Sequence, residues 1–297
     1  MINLPSLATL HSRERALLIQ NIMREIPQEI GTEAYLYCSV AKGYADQYSD
    51  IEITFLVDEV QETAVYENWL RSIGATVDPA TMEWGGGYTT KSWIDGIFIE
   101  AAWRPFEAID STLEKVVTGK TTYHWKLVDA WHIFHAVPVK TSPRLEQWQK
   151  KLETYPDLLQ VKLIEDAVRY LAEPHWYPLS LAHAYPLAKR HNPMKLAGEL
   201  SWTVERALRI LFAVNKQWEP DYKWLQFEEK RLIQKPERLV ERVNDVFLHP
   251  DLVERYKMSV QLLIDTLQLI PEEIDVSKEI VHLQEALDPE TLNMRED

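Results

Sequence analysis

Between residues 34 and 58 the chain sets two apolar runs around one polar turn: AYLYCSVA, then KGYADQYSD, then IEITFLVD. This predicts a strand over Ala34 to Ser39, a short helical turn over Val40 to Gln47, and a second strand from Ile51. Upstream, Ser12 is a candidate N-cap, and Ala16, Leu17, Ile19, Ile22, Met23 and Ile26 recur at helical spacing over residues 12 to 27. Downstream, Val65, Trp69 and Ile73 mark a helix over 61 to 73. The segment from Ala75 to Asp95 reads as a hairpin turning at Gly85, Gly86 and Gly87. The run IFIEAAW, Ile97 to Trp103, is a further strand, closed by Arg104 and Pro105 before a helical segment from Phe106. After the proline-bearing stretch Pro138 to Pro143 the pattern is helical almost to the end. Leu159, Leu163, Ala167, Val168 and Leu171 form one amphipathic face, and Leu196, Leu200, Val204, Ala207, Leu208, Leu211 and Phe212 a longer one. The expectation is an α+β chain: a mixed sheet flanked by helices over residues 1–140, then a helical bundle over 141–297.

Alternation puts chemistry at one strand edge. Side chains two apart share a face, so Asp50 and Glu52 project together while Ile51 and Ile53 point into the core. Magnesium is held by one or two carboxylates plus substrate phosphates, which such an edge can offer. Glu100 stands inside an apolar run, where a bare charge is costly, so it needs a metal, a cation or a donor. Arg104 is the simplest structural partner for it. The glycine triplet at 85 to 87 lacks the Gly-Lys-Ser/Thr and helix of a Walker loop. His132 and His135 lack a nameable third zinc ligand.

Composition narrows the partners. A chain of 297 residues, 46% hydrophobic and 26% charged, has core enough for two domains. Cys38 is the single cysteine. It excludes an internal disulfide and a cysteine zinc cluster and suits a reducing cytosol, and with no basic leader or spanning apolar run a cytoplasmic protein is expected. The net charge of -14 divides into -8 over residues 1–140 and -6 over 141–297. Such a balance argues against a nucleic-acid partner. It suits a cationic one, although acidity kept for solubility explains the charge equally.

Ser39, Ala41, Gly43, Ser49, Asp50, Ile51 and Glu52, read as CSVAKGYADQYSDIE, resemble the G-S-x-A-x-G...S-D-[IL]-[DE] signature of the polymerase-beta-like nucleotidyltransferases. Within that superfamily the chain looks most like the bacterial antibiotic (aminoglycoside and lincosamide) nucleotidyltransferases and their uncharacterised relatives. The motif covers about thirty residues. The resemblance implies a nucleotidyltransferase-type sheet domain, with Ser39, Lys42, Gly43 and Ser49 around a bound triphosphate. Asp50, Glu52 and Glu100 would then hold Mg2+, Glu100 serving as third ligand or as general base. In the second domain the element Asp221-Tyr222-Lys223-Trp224 resembles one that supplies a lysine to the triphosphate, which implicates Lys223. Each serine is otherwise a turn or capping residue, and Lys223 a snorkelling surface lysine. Cys38 replaces the signature's first glycine, and Glu52 stands where many relatives carry aspartate.

The activity implied is Mg-dependent transfer of a nucleoside monophosphate, from ATP or another nucleoside triphosphate, to a hydroxyl of a small acceptor. An antibiotic-like, cationic acceptor fits the charge. Two other readings stand beside it: a protein-modifying nucleotidyltransferase of toxin-antitoxin type, and a nucleotide-binding protein whose chemistry has decayed. Neither a nucleic acid nor a membrane is expected as partner. Arg169 and His175 also match an R-x5-H spacing found in helical ribonucleases.

Overall fold

The computed structural model describes residues 2–22, 26–78, 82–84, 86–140, 142–169, 171 and 181–287; Gly85 and His175 lie outside them. One mixed sheet frames the first part of the chain. Its strands are β1 (Glu33–Leu36), β2 (Ile51–Val57), β3 (Thr76–Val77), β4 (Met82–Trp84), β5 (Gly87–Ile94), β6 (Ile97–Pro105) and β7 (Val137–Pro138). They run in the order β3-β5-β6-β2-β1-β7, with β4 paired to β5. β2 and β6 pair in parallel and the other pairs are antiparallel. Parallel neighbours need a long crossover. The chain between β2 and β6 supplies it as helix and hairpin.

Among the described residues six helices accompany the sheet: α1 (Leu10–Ile22), α2 (Cys38–Lys42), α3 (Thr63–Ser72), α4 (Phe106–Val117), α5 (His124–Phe134) and α6 (Pro143–Leu152). The strand alternation separates two unlike faces. On one, Ile51, Ile53 and Phe55 join Ile99, Ala101 and Trp103 in a core completed by Ala16 and Ile19 of α1 and Tyr66, Trp69 and Leu70 of α3. Trp103 is sandwiched there, its ring centroid 5.2 Å from Phe55 and 4.3 Å from Tyr66. The other face carries Glu52 and Thr54 of β2 and Glu100 and Arg104 of β6, and Asp129 of α5 reaches it through Arg104.

Local boundaries differ from the sequence pattern where side chains find distant partners. α1 begins at Leu10, not at Ser12. Thr9 is the cap, accepting the Ser12 amide at 3.1 Å. The Ser12 hydroxyl is buried inside the helix and accepts the Ala45 amide at 3.0 Å.

The chain divides into two compact units, Met1–Val117 with Trp125–Thr154, and Thr118–His124 with Tyr155–Asp297. The break therefore falls at residue 154 and not at 140. α6 belongs to the first unit because its polar side chains bond there: the Trp148 indole donates to Asp110 at 2.7 Å, and Gln149 donates to the Ala136 carbonyl at 2.8 Å. Its cap, Ser142, hydrogen-bonds Glu33 of β1.

The regular structure of the second unit's described residues is helical: α7 (Asp157–Val168), α8 (Leu181–Lys189), α9 (Pro193–Val214), α10 (Leu225–Glu228), α11 (Leu239–Leu248), α12 (Leu252–Leu267) and α13 (Ser277–Ala286). The two apolar faces expected on α7 and α9 are buried. Gln160 of α7 ties them together by donating to the Ala213 carbonyl at 3.0 Å. Residues 118–124 are fastened into this unit, with Lys162 donating to the Gly119 carbonyl at 2.7 Å and Thr122 to Asp166 at 2.5 Å. No described helix is long and apolar enough to cross a membrane.

Gly87 shows how closely β5 approaches β6. A Cβ added there would stand 1.9 Å from the carbonyl oxygen of Trp103. Gly87→Ala is expected to destabilise the protein by about 1–3 kcal/mol through forced strand displacement, read from urea unfolding.

Candidate functional site

Cα register decides which side chains of the polar face meet. In the parallel β2–β6 pair, Glu52 lies opposite Glu100, and in the antiparallel β5–β6 pair Lys91 lies opposite Glu100. The β1–β2 register ends with Leu36 opposite Ile53, so the next residue, Tyr37, faces Glu52, whose carbonyl accepts the Tyr37 amide at 3.2 Å. One row of the sheet thus reads Lys91, Glu100, Glu52, Tyr37. Glu52 is 8% exposed, and Glu100 is more open. Burial first, then the carboxylates of Glu52 and Glu100, push the Tyr37 phenol well above its ordinary pKa. Asp50 sits one residue before β2, half-buried. Continued alternation places it one row outward from Glu52, opposite Phe98.

Two rows further along this face lies an ion pair. Arg104 donates to both carboxylate oxygens of Asp129 at 3.1 Å, with the two side chains 6% and 11% exposed. Burial alone would lower the guanidinium's pKa. Asp129, with Tyr35 behind it, more than offsets that and holds it raised. Arg104 therefore serves Asp129. Arg104 and Asp129 line a small cavity with Tyr35, Tyr37, Thr54, His132 and Ile133. His132 stacks on Tyr37 at 4.9 Å between centroids.

The turn that follows β1 is tight. Cys38 holds φ 55° and Gly43 φ 78°, both in the left-handed region. Glycine enters that region without a Cβ penalty, whereas any other L-residue pays about 1–2 kcal/mol. Cys38 thus takes the backbone conformation that the signature's glycine would favour. Gly43 caps α2, its amide donating to Val40 at 3.1 Å and its carbonyl accepting Thr9 at 3.1 Å. Ser39 is 1% exposed and its hydroxyl has no hydrogen-bond partner. A buried hydroxyl left so is uncommon in native proteins. Lys42 lies near the rings of Tyr44 and Trp131, 5.5 and 5.4 Å from their centroids.

Ser49 is built into its own turn. Its hydroxyl donates to Asp46 at 2.9 Å and accepts the Asp46 amide at 2.9 Å, while its carbonyl accepts Arg15 at 2.8 Å. The Ser49 bond, ahead of local amides, holds the Asp46 carboxyl below its usual range. Lys223 belongs to the second unit, exposed on the 3₁₀ turn Tyr222–Trp224, its amide bonded to Asp221 at 3.1 Å. The neighbouring Tyr222 hydroxyl donates to buried Glu219 at 2.8 Å, and His124 meets the same carboxylate at 2.9 Å.

Of the residues expected at the site, the first unit brings Glu52 and Glu100 side by side, with Asp50 one row away and Ser39 in the adjoining turn. Among the described residues no three His, Cys, Asp or Glu side chains gather as a ready metal site. Two in-register carboxylates nonetheless fit Mg2+, an ion that takes most of its shell from substrate phosphates and water. Tyr37, Lys91 and the Arg104–Asp129 pair escaped the sequence reading. Their signal is the alternation of each strand, which becomes informative only once the register is known.

A family model described as a domain of unknown function, DUF4037, matches residues 132–225, a stretch holding Lys223 and none of the three acids. No curated protein matches the chain. Among solved structures the chain is similar to a nucleotidyltransferase-like protein from Exiguobacterium sibiricum 255-15, at 11% identity and a TM-score of 0.39, over 94% of this chain and 80% of that one.

The turn at Cys38 yields a direct test by urea unfolding. Cys38→Gly removes the left-handed strain but loses a buried thiol and frees the unfolded chain, so its stability should stay within about 1 kcal/mol of wild type. Cys38→Val, β-branched in the same conformation, should lose about 2 kcal/mol.

Proposed function

We propose that the chain is a Mg-dependent nucleotidyltransferase that moves a nucleoside monophosphate, AMP in the simplest case, from a nucleoside triphosphate to a hydroxyl of a small acceptor. The observation that carries the reading is the in-register placement of Glu52 and Glu100 on a polar sheet face. Like charges directly opposite one another destabilise a sheet. A pair kept there at the mouth of a tight turn is what a site that binds a cation retains.

Each residue has a distinct task in this reading. Glu52, with Asp50 one row out, would hold Mg2+, which when bound neutralises charge building on the triphosphate oxygens. The triphosphate lies along the turn of Ser39, Lys42 and Gly43, where the buried Ser39 hydroxyl is available to an incoming oxygen. Ser49 supports the turn through Asp46 rather than by touching phosphate. Glu100, more open than Glu52, accepts the acceptor's proton. The acceptor oxygen forms a bond to the α-phosphorus as the bond to the bridging oxygen breaks, and pyrophosphate leaves with that electron pair. Support for an intact rather than a decayed site comes from Cys38, whose backbone follows the path that glycine would take.

Calorimetric titration of ATP and GTP, with and without magnesium, tests the reading. Binding should require magnesium, be abolished by EDTA, and weaken on the order of ten- to hundredfold in Glu52→Gln and Asp50→Asn, with circular dichroism unchanged. Binding that is indifferent to magnesium and to both substitutions would sink it.

A further inference from the structure

The sheet ends, past the row of Glu100, in an aromatic pair that the transfer scheme does not use. β5 and β6 turn at Asp95 and Gly96, whose φ values of 51° and 78° suit a two-residue hairpin. Just inside that turn Trp93 stands opposite Phe98, with ring centroids 5.1 Å apart and planes tilted by 49°. Trp93 is 40% exposed and Phe98 partly so. A pair kept for stability alone gains most by hiding its rings, as Phe55 and Tyr66 do against Trp103. Two rings left open beside a site are a surface on which a third can stack.

Strand order gives the direction of approach. β1 with its turn lies on one side of β2, and β6 followed by β5 on the other. Attacking and leaving oxygens stand roughly in line across the phosphorus, so with pyrophosphate on the turn of β1 the acceptor enters from the side of β6 and β5. Pleat gives the reach. Side chains two apart on a strand share a face about 7 Å from one another, which makes Phe98 the neighbour of Glu100. A ring laid on Phe98 and Trp93 thus carries a hydroxyl at its rim into hydrogen-bond range of Glu100, about 2.7 Å.

The base then selects the kind of hydroxyl. A phenol ionises near pH 10, whereas water holds its proton to about 16. A carboxylate is a weak base, so the more acidic hydroxyl is the one it can assist. Lys91, directly opposite Glu100, sets an ammonium in the row where charge develops on the attacking oxygen. An aromatic ring also gains more from two aromatic faces than a saturated ring does.

We propose that Trp93 and Phe98 seat the ring of a phenolic acceptor whose hydroxyl meets Glu100 and attacks the α-phosphorus. This rests on the transfer reading and adds to it a substrate class, a neutral aromatic ring bearing its hydroxyl directly. The phenol's proton passes to Glu100 and its oxygen bonds to the α-phosphorus. The bond to the bridging oxygen breaks, pyrophosphate leaves with that electron pair, and an aryl ester of the nucleoside monophosphate remains. A free phenol and an exposed tyrosine side chain offer the same chemistry.

The test is NMR titration of 4-methylphenol into full-length protein, both nucleotide-free and MgATP-loaded. N-acetyl-L-tyrosinamide stands for a tyrosine side chain, and 4-methylcyclohexanol for the same outline without the aromatic ring. At least one phenol should bind, and the tighter of the two identifies the source. The cyclohexanol should bind about fivefold more weakly. Trp93→Ala should weaken phenol binding about tenfold and Trp93→Phe less than about threefold. Phe98→Leu, which keeps the hairpin pair apolar, should also weaken it and gives an independent reading should Trp93→Ala fail to fold. With MgATP bound, wild type should release pyrophosphate and form the aryl ester, read by mass spectrometry. Glu100→Gln should bind the phenol and form no ester. Failure of MgATP to bind wild type counts against the transfer reading alone, because the platform is still read in the nucleotide-free protein. Four results overturn the proposal: no phenol binding, equal affinity for the cyclohexanol, unchanged affinity in the folded platform variants, or a phenol bound beside MgATP with no ester formed.

Discussion

The parallel pairing of β2 with β6 is the constraint on which the rest of the first unit depends. It sets Ile51, Ile53 and Phe55 against Ile99, Ala101 and Trp103 on one face, and by the same register sets Glu52 against Glu100 on the other. A slip of one residue would turn carboxylates into the core and isoleucines toward the polar side. Burial of Trp103 between Phe55 and Tyr66 therefore fixes the acid pair as firmly as it fixes the core. Structure and chemistry are set by one hydrogen-bonded ladder.

The polar face is also kept in order by a buried ion pair. Arg104 and Asp129 meet at two points, which fastens α5 to β6. Removing one partner of such a pair strands a buried charge and costs far more than the pair itself contributes. The consequence for the site is a division of labour. Positive charge at Arg104 is engaged by Asp129, while Glu52 and Glu100 share their row with Lys91 and Tyr37.

The turn after β1 shows a related economy. Two left-handed residues, Cys38 and Gly43, bring α2 back sharply after Tyr37, which carries the end of the acid row. The α1 segment locks the turn from outside through Thr9, Ser12 and Arg15. Ser39 is held in that frame with its hydroxyl unpaired, while Ser49 spends its own on closing the loop with Asp46.

By itself the sequence determined the α+β class, most of the longer strands and helices, the apolar faces of α7 and α9, and the candidacy of Asp50, Glu52 and Glu100. Those features are local. Strand alternation, helical spacing and a charge inside an apolar run are properties of a few consecutive residues. Only the tertiary structure decided that Glu52 meets Glu100 while Asp50 stands a row away, that Arg104 is claimed by Asp129, and that Ser12 is buried beneath Ala45 instead of capping α1. It likewise drew α6 into the first unit and residues 118–124 into the second. Each of these is a pairing between residues dozens of positions apart, chosen by register and burial, and the sequence near either partner does not carry that choice.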